Sequence, residues 1–244
     1  MRPARRQYAG NQMKAKILYN KTKDWAAKTA KEASAFLKSA KVQEVEKGAD
    51  LTITVGGDGT ILYYKNELEG AIFGVGGEKS HICRSMQHNW KEKLSAFLKN
   101  PVAEERILLS VCIEGKEVGF AINDAVVISR DHGILELSVS IGGRQASFEG
   151  DGVIVSTPTG STAYAYSAGG AAMDESLDAM EIVPIAPFHR AFDPMVVDAR
   201  REIIISSPQP SHLLIDGQQL VQLREGAKVS VKRHKSKIRF AMVP

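Results

Sequence analysis

The chain has 244 residues, 43% of them hydrophobic and 25% charged, with a formal net charge of +4. That is enough apolar content for one large or two small cored domains, and too even a charge balance for a dedicated nucleic-acid binder. No run approaches the roughly 18 apolar residues of a spanning helix, and the amino end lacks the apolar centre of a signal peptide, so the expectation is a cytoplasmic protein with neither nucleic acid nor membrane as partner. Cys83 and Cys112 are too few for a disulfide framework, have no metal-ligand spacing, and are read as reduced thiols. Asn20-Lys21-Thr22 has the form of a glycosylation acceptor and is set aside as chance.

Taken in order, residues 1–12 are polar, basic and without periodicity, which reads as a structureless lead before Met13 and a first strand at 15–19. Trp25, Thr29, Ala33, Phe36, Leu37 and Ala40 then recur at helical spacing, with Thr22 available as a cap and Asp24 near the positive end of the helix dipole. A second strand at 51–55, a short helix over 61–65, a third strand at 71–75 and an amphipathic helix at 89–99 complete an alternation that predicts a parallel, doubly wound sheet. Near residues 101–104 the texture changes to short alternating runs at 107–113, 118–122, 125–129, 134–141 and 144–148. Gly115-Lys116 and Gly142-Gly143 serve as two-residue turns between them. The expected division is a Rossmann-like α/β domain over 1–103 and an antiparallel β domain over 104–244. The basic cluster Lys232-Arg233-His234-Lys235 lies among alternating apolar residues and is read as the wet tip of a strand hairpin.

Two stretches carry chemistry. Residues 51–62 read LTITVGGDGTIL, a buried strand that breaks into Gly56, Gly57, Asp58 and Gly59 before a helical pattern opened by Thr60. Glycines let backbone N–H groups approach an anion without Cβ interference, and a helix start favours phosphate. A carboxylate in such a cradle repels phosphate unless it holds a metal ion or takes a proton, both tasks of phosphoryl transfer. For GGDG alone, a tight turn in which Asp58 caps the next helix competes with this reading. The second stretch is GDGVIVSTPTGSTAY over 150–164, too rich in small hydroxylated residues for a sheet core. It reads either as a turn capping a helix over 162–168, closed by Gly169-Gly170, or as a ligand wall with Tyr164 stacking on a base.

GGDGT after a buried strand resembles the signature of NAD, lipid and, more loosely, phosphofructokinases. Together with Asn123-Asp124, the 150–164 stretch, Ser167-Ala168-Gly169-Gly170 and Asp216-Gly217-Gln218, in that order, the chain resembles the NAD kinase family over residues 13–244. The resemblance implies a carboxy-terminal β-sandwich after the Rossmann-like domain. It also implies transfer of a phosphoryl group from ATP or polyphosphate to the 2′-hydroxyl of the adenosine ribose of NAD, with Mg2+ or another divalent cation, in a homotetramer or homodimer. Asp58 corresponds to the catalytic residue, with Gly56, Gly57, Gly59 and Thr60 beside the phosphates. Asn123 and Asp124 correspond to readers of adenosine and ribose, Asp124 standing where many members carry Glu. Thr159, Thr162, Ala163, Tyr164, Ser167, Ala186 and Asp216 correspond to further dinucleotide contacts. Asp151 corresponds to an acid at the nicotinamide end; as a bare residue it could equally brace its turn by accepting backbone N–H groups.

Departures stand out as well. Where the family has a glycine-rich loop ending in Leu-Gly-Phe, residues 76–84 read GGEKSHICR, leaving Ile82 or a neighbour where an aromatic packs on adenosine. Phe188 and Asp193 replace the His and Arg of a P-H-x-L-x-F-R-P pattern. A dinucleotide sensor without turnover and a GGDGT lipid kinase are the alternatives.

Overall fold

The computed structural model describes residues 4–5, 12–131 and 133–243. The chain divides into two compact units, one running to Glu105 and taking back the segment from Ile238, the other spanning Arg106–Lys237.

In the first unit, the strands Lys14–Tyr19, Leu51–Val55 and Ala71–Gly76 run parallel, in the order Gln43–Glu44, Lys14–Tyr19, Leu51–Val55, Ala71–Gly76. The pairings Tyr19↔Val55 and Val55↔Val75 bring the three carboxyl ends level, so whatever follows Val55 leaves from one common edge. Leu51–Val55 is buried at every position, as expected for a strand covered on both faces. The helix Asp24–Ser39 buries Ala26, Ala30 and Ala33 along with Leu37, and these small side chains let it lie close on the sheet. Trp90–Lys99 adds Trp90, Leu94 and Phe97, with the Trp90 ring edge-on to Phe36 at 5.9 Å. Each fully buried large apolar side chain contributes about 1.5–3 kcal/mol.

The second unit is antiparallel. One sheet follows the order Met195–Asp198, Ala179–Ile185, Gly152–Ser156, Asp124–Ser129, Ser211–Ile215, Gln219–Leu223. Facing it, Leu135–Ile141 pairs with Arg144–Gly150 and Ile203–Ser206, and the latter pairs with residues 229–231. Val127, Val153, Val155 and Ile182 from the first sheet join Leu137, Val139, Ile205 and Val229 from the second in a single apolar cluster. The unit is a β-sandwich.

Several local expectations are corrected. Thr22 does not cap the first helix: the N-cap position falls on Lys23, and the Thr22 hydroxyl and N–H both donate to Asn20 Oδ1, at 2.7 and 2.9 Å, in the turn before it. The short helix is Asp58–Tyr63 rather than 61–65, because the glycine turn delivers the chain into helical geometry at once. The turn after Ile113 is Glu114-Gly115, both at positive φ, since Lys116 already pairs with Ile113; Gly142-Gly143 turns as expected. Residues 152–156 of the hydroxyl-rich stretch are a fully buried central strand, in which Ser156 satisfies its hydroxyl on the carbonyls of Asn123 and Thr157. Lys232–Lys235 is not a hairpin tip but the middle of the strand Val229–Ala241, which contains no Gly, Pro or Asn to turn it. Its last residues belong to the first unit, where Phe240 pairs in parallel with Ile72, although the sequence division at 103/104 groups them with the second. The reading of 1–12 as a structureless lead lies largely outside the described residues. Of that segment, Ala4–Arg5 pairs antiparallel with residues 102–103, and the Gln12 side-chain amide donates to the Lys41 carbonyl.

Gly70 shows how tightly the third parallel strand is entered. It sits at φ 65°, and a Cβ there would lie 2.0 Å from the Asp50 carbonyl oxygen. Gly70→Ala is expected to cost about 1–3 kcal/mol or more through strain and displacement, lowering the thermal midpoint by about 3–10 °C. A midpoint unchanged in a melting experiment would show that this entry is not constrained.

Candidate active site

The turn after Leu51–Val55 is built so that only glycine fits. Gly56 has φ 147° and Gly57 φ 100°, and a Cβ on Gly56 would come within 2.3 Å of Thr60 Oγ1 and 2.7 Å of Asn20 Cβ. The Gly56 carbonyl accepts from Lys23 Nζ at 2.9 Å. Asp58 is the first residue of the helix, and Gly59 follows with open space around its Cα. Thr60 does not open the helix; it fills the underside of the turn, 3% exposed, its hydroxyl without a partner among the described residues.

Asp58 is held by main-chain N–H groups, with the Cys83 side chain also against it. Its Oδ2 accepts from the His81 N–H at 2.7 Å and its Oδ1 from the Cys83 N–H at 3.0 Å. Both donors lie in the divergent 76–84 loop, and two glycines of the neighbouring strand seat that loop. A Cβ on Gly74 would meet Cys83 Sγ at 2.8 Å, and one on Gly76 would meet Ser80 Oγ at 2.2 Å. Glycine within a strand marks a close approach of other chain, and here that approach turns two amides toward a carboxylate. Burial, and then the charge of Asp58, push the Cys83 thiol well above its usual value, so it is a packed neutral thiol and not a nucleophile. Ile82 is 5% exposed, so it packs inside and offers no face for stacking.

In the second unit the organiser is Asp216, in left-handed conformation at φ 54° between Ser211–Ile215 and Gln219–Leu223. Its carboxylate accepts from the N–H groups of Ile122 (3.0 and 3.1 Å), Asn123 (2.7 Å) and Asp124 (3.3 Å), and its own N–H donates to the Asp124 carbonyl at 2.9 Å. The 157–161 turn docks on the same segment: the Thr157 N–H donates to the Asn123 carbonyl at 2.8 Å and the Thr157 hydroxyl to that of Ile122 at 2.6 Å. Gly160 has no room for a side chain, its Cβ position being 2.3 Å from the Asn123 carbonyl oxygen. Ser161 links the Pro158 carbonyl to the Met173 N–H.

Most hydroxyls of the stretch are therefore internal struts. What remains for a ligand is narrower. Asn123 is 7% exposed, with its Oδ1 buried and unpartnered among the described residues, beside the buried Asp124 and Thr159. Thr162 and Ala163 are half-buried, while Tyr164 and Ser167 are exposed on the short helix Tyr164–Ser167. Asp151 and Ala186 form a second group across the Gly152↔Ile185 pairing, at the end of these strands opposite the Ser156↔Asp124 pair. Both are exposed, and Ala186 sits at φ 46°. The main chain of Asp151 is paired in the sheet, but its carboxylate accepts no hydrogen bond among the described residues, so a turn brace is absent. The structure thus joins Asn123, Asp124, Thr159 and Asp216 closely, and places Asp216 as support for the others. Sequence reasoning missed the His81 and Cys83 amides; Gly74 and Gly76, alternate positions of one strand, were the available signal.

An α/β unit carrying a fixed carboxylate after a glycine turn, with a β-sandwich carrying a buried amide oxygen without a partner, has known counterparts. Residues 122–243 match the family model of the ATP-NAD kinase C-terminal domain. A NAD kinase of Methanocorpusculum labreanum is 35% identical over 76% of this chain and 71% of its own length, and one of Treponema denticola is 30% identical over 93% and 90%. Among solved structures, an NAD kinase from Archaeoglobus fulgidus in complex with ATP is similar over 94% of both chains, at TM-score 0.82 and 25% identity. Yeast NADH kinase complexed with NADH shares the fold at TM-score 0.86 and 18% identity, over 96% of this chain and 84% of that one. The chain belongs to the NAD kinase family.

If Asp216 is the anchor of 122–124, Asp216→Ala leaves three buried N–H groups without their acceptor. The expected cost is about 2–4 kcal/mol, a drop of about 5–15 °C in the thermal midpoint. A variant melting with the wild type would remove Asp216 from the scaffold.

Proposed function

We propose that this protein phosphorylates NAD at the 2′-hydroxyl of its adenosine ribose, with ATP as phosphoryl donor, giving NADP and ADP. The observation that carries the reading is Asp58: a carboxylate fixed by two backbone N–H groups, directly after a glycine turn, in a chain of the NAD kinase family. In this reading Asp58 accepts the 2′-hydroxyl proton as that oxygen bonds to the terminal phosphorus and the bond to the ADP oxygen breaks. Gly56, Gly57, Gly59 and Thr60 form the phosphate side. Asn123 reads the adenosine part through its free amide oxygen, Asp124 meets the ribose, and Thr159, Thr162, Ala163, Tyr164 and Ser167 line the dinucleotide. Asp151 and Ala186 take the nicotinamide end.

A divalent ion fits this site only as a companion of the nucleotide. Among the described residues no three His, Cys, Asp or Glu side chains converge on a point. Magnesium binds through few protein ligands and mainly through water and phosphate oxygens, and it supplies charge neutralisation on the donor. Cytoplasmic placement and a homo-oligomeric state belong to the same proposal. They are supported by the two free, buried cysteines and by family membership, and no described helix is long and apolar enough to cross a membrane. The relatives cited above are named as NAD or NADH kinases, which supports neither a sensor without turnover nor a lipid kinase. Incubation of purified protein with NAD, ATP and magnesium, followed by an assay for NADP, tests the activity; replacing ATP with polyphosphate tests the donor.

Asp58→Asn should lower turnover by about 10²–10⁴-fold, the usual worth of a general base, while NAD binding measured by calorimetry stays near wild type. Activity within a few-fold of wild type would refute the base role. For Asp151, an exposed carboxylate near a cationic ring adds only a screened attraction. Asp151→Asn is therefore expected to shift the NAD/NADH affinity ratio by about three- to tenfold against NAD. An unchanged ratio of dissociation constants would detach Asp151 from the nicotinamide end.

A further inference from the structure

The six-stranded sheet of the second unit holds a buried carboxyl group that the reaction above does not use. Glu181 lies in the strand Ala179–Ile185, paired between Ser156 and Val196. Two residues on, Val183 packs in an apolar cluster with Val126, Ile154 and Ala165. Alternation puts Glu181 on that same face, beneath the segment that follows Tyr164–Ser167. The side chain is 1% exposed. Its Oε1 accepts the Ala171 N–H at 2.6 Å, and its Oε2 has no partner among the described residues. Burial pushes this carboxyl above the usual range, against the smaller opposing effect of the Ala171 N–H.

The segment rests directly on this group. A Cβ on Gly170 would lie 2.8 Å from Glu181 Oε2, 2.8 Å from Val183 Cγ2 and 2.9 Å from the Ala165 carbonyl oxygen, so only glycine lets the chain pass. The Gly170 N–H closes back on the Ala165 carbonyl at 2.9 Å. A continuous path thus runs from the sheet through Glu181, Ala171 and Gly170 to Ala165, which shares the short helix with Tyr164 and Ser167. An acid at a position flanked by apolar side chains costs stability, and an aliphatic residue of similar size would pack there without that cost. We infer that Glu181 is a positioning residue for dinucleotide binding, which acts by accepting the Ala171 N–H and so fixes the turn that presents Tyr164 and Ser167. The inference rests on the NAD kinase reading for its ligand, and on geometry alone for the clasp.

Two variants test it, Glu181→Leu and Glu181→Gln, each measured for steady-state kinetics, melting and amide hydrogen exchange over residues 163–173. Gln keeps the acceptor oxygen and the shape; Leu keeps approximate volume and loses the acceptor. For Glu181→Leu the expectation is a rise in the KM for NAD of about 3–10-fold, the equivalent of one hydrogen bond, with kcat and the KM for ATP near wild type. Exchange over 163–173 should be faster and the thermal midpoint equal or higher, because a buried acid has been replaced by a hydrophobe. Glu181→Gln should restore both the KM and the slow exchange. A Leu variant with wild-type KM and exchange overturns the inference, as does a Gln variant as impaired as Leu, or a Leu variant that loses stability along with both KM values. Wild-type protein that makes no NADP would sink the functional reading separately, and the exchange comparison would still decide whether Glu181 holds the turn.

Discussion

The carboxylate of Asp216, thrust from a left-handed turn into the N–H groups of residues 122–124, is the constraint on which the second unit's site depends. Without it, three consecutive amides at the entry of the strand Asp124–Ser129 would be buried and unpaired, each at about 1–3 kcal/mol. With it, the carbonyls of Ile122 and Asn123 face the other way and receive the Thr157 hydroxyl and N–H. One side chain therefore fixes two loops at once, and the side chain of Asn123 is left as the group with an unused acceptor. A buried oxygen without a partner is costly in the free protein and favourable when a donor arrives, which is the profile of a recognition atom.

The first unit solves the same problem with the roles reversed. At Asp216 a carboxylate organises a loop; at Asp58 a loop organises a carboxylate. Its donors come from 23 and 25 residues further along, and they reach it only because Gly74 and Gly76 leave the strand surface bare enough for Ser80 and Cys83 to settle there. Bonds to backbone amides leave each carboxylate oxygen with lone pairs free, so the group is oriented without being consumed. The alternative in which Asp58 caps its own helix is not what the chain adopts: no side-chain cap bond is present at that helix start.

How much of this was legible in the sequence follows from how local each cause is. The parallel strands were legible because full burial writes continuous apolar runs, and Gly142-Gly143 because two adjacent positive φ angles favour glycine. The division into an α/β and an antiparallel half followed from a change of period, and the family from a set of motifs in fixed order. The Asp58 and Asp216 contacts were hidden because each joins residues far apart in sequence through backbone amides, which carry no residue-type signal. The same blindness explains Val229–Ala241, where four charged or polar residues looked like a tip but are consecutive residues of one long strand, on both of its faces. Thr22 failed as a cap for a local reason, since the cap position falls on Lys23 and Thr22 is bound to Asn20 in the turn before it.

Counting donors separates two buried acids of the second unit, Asp216 and Glu181. Asp216 has three N–H groups around its carboxylate, enough to replace much of the hydration it lost. Glu181 has one, on one oxygen, so removing it from water weighs more than the bond returns and its carboxyl is raised above the usual range. The sign of the consequence is fixed by linkage: an acid whose folded value is raised binds its proton more tightly folded than unfolded. Its contribution is therefore fully present below the usual carboxyl range and declines as pH rises from there through the raised value. Acid does not undo this clasp, because a protonated carboxyl still offers its carbonyl oxygen to the Ala171 N–H. Rising pH works against it, by placing a charge with a single donor beneath the turn that carries Tyr164 and Ser167.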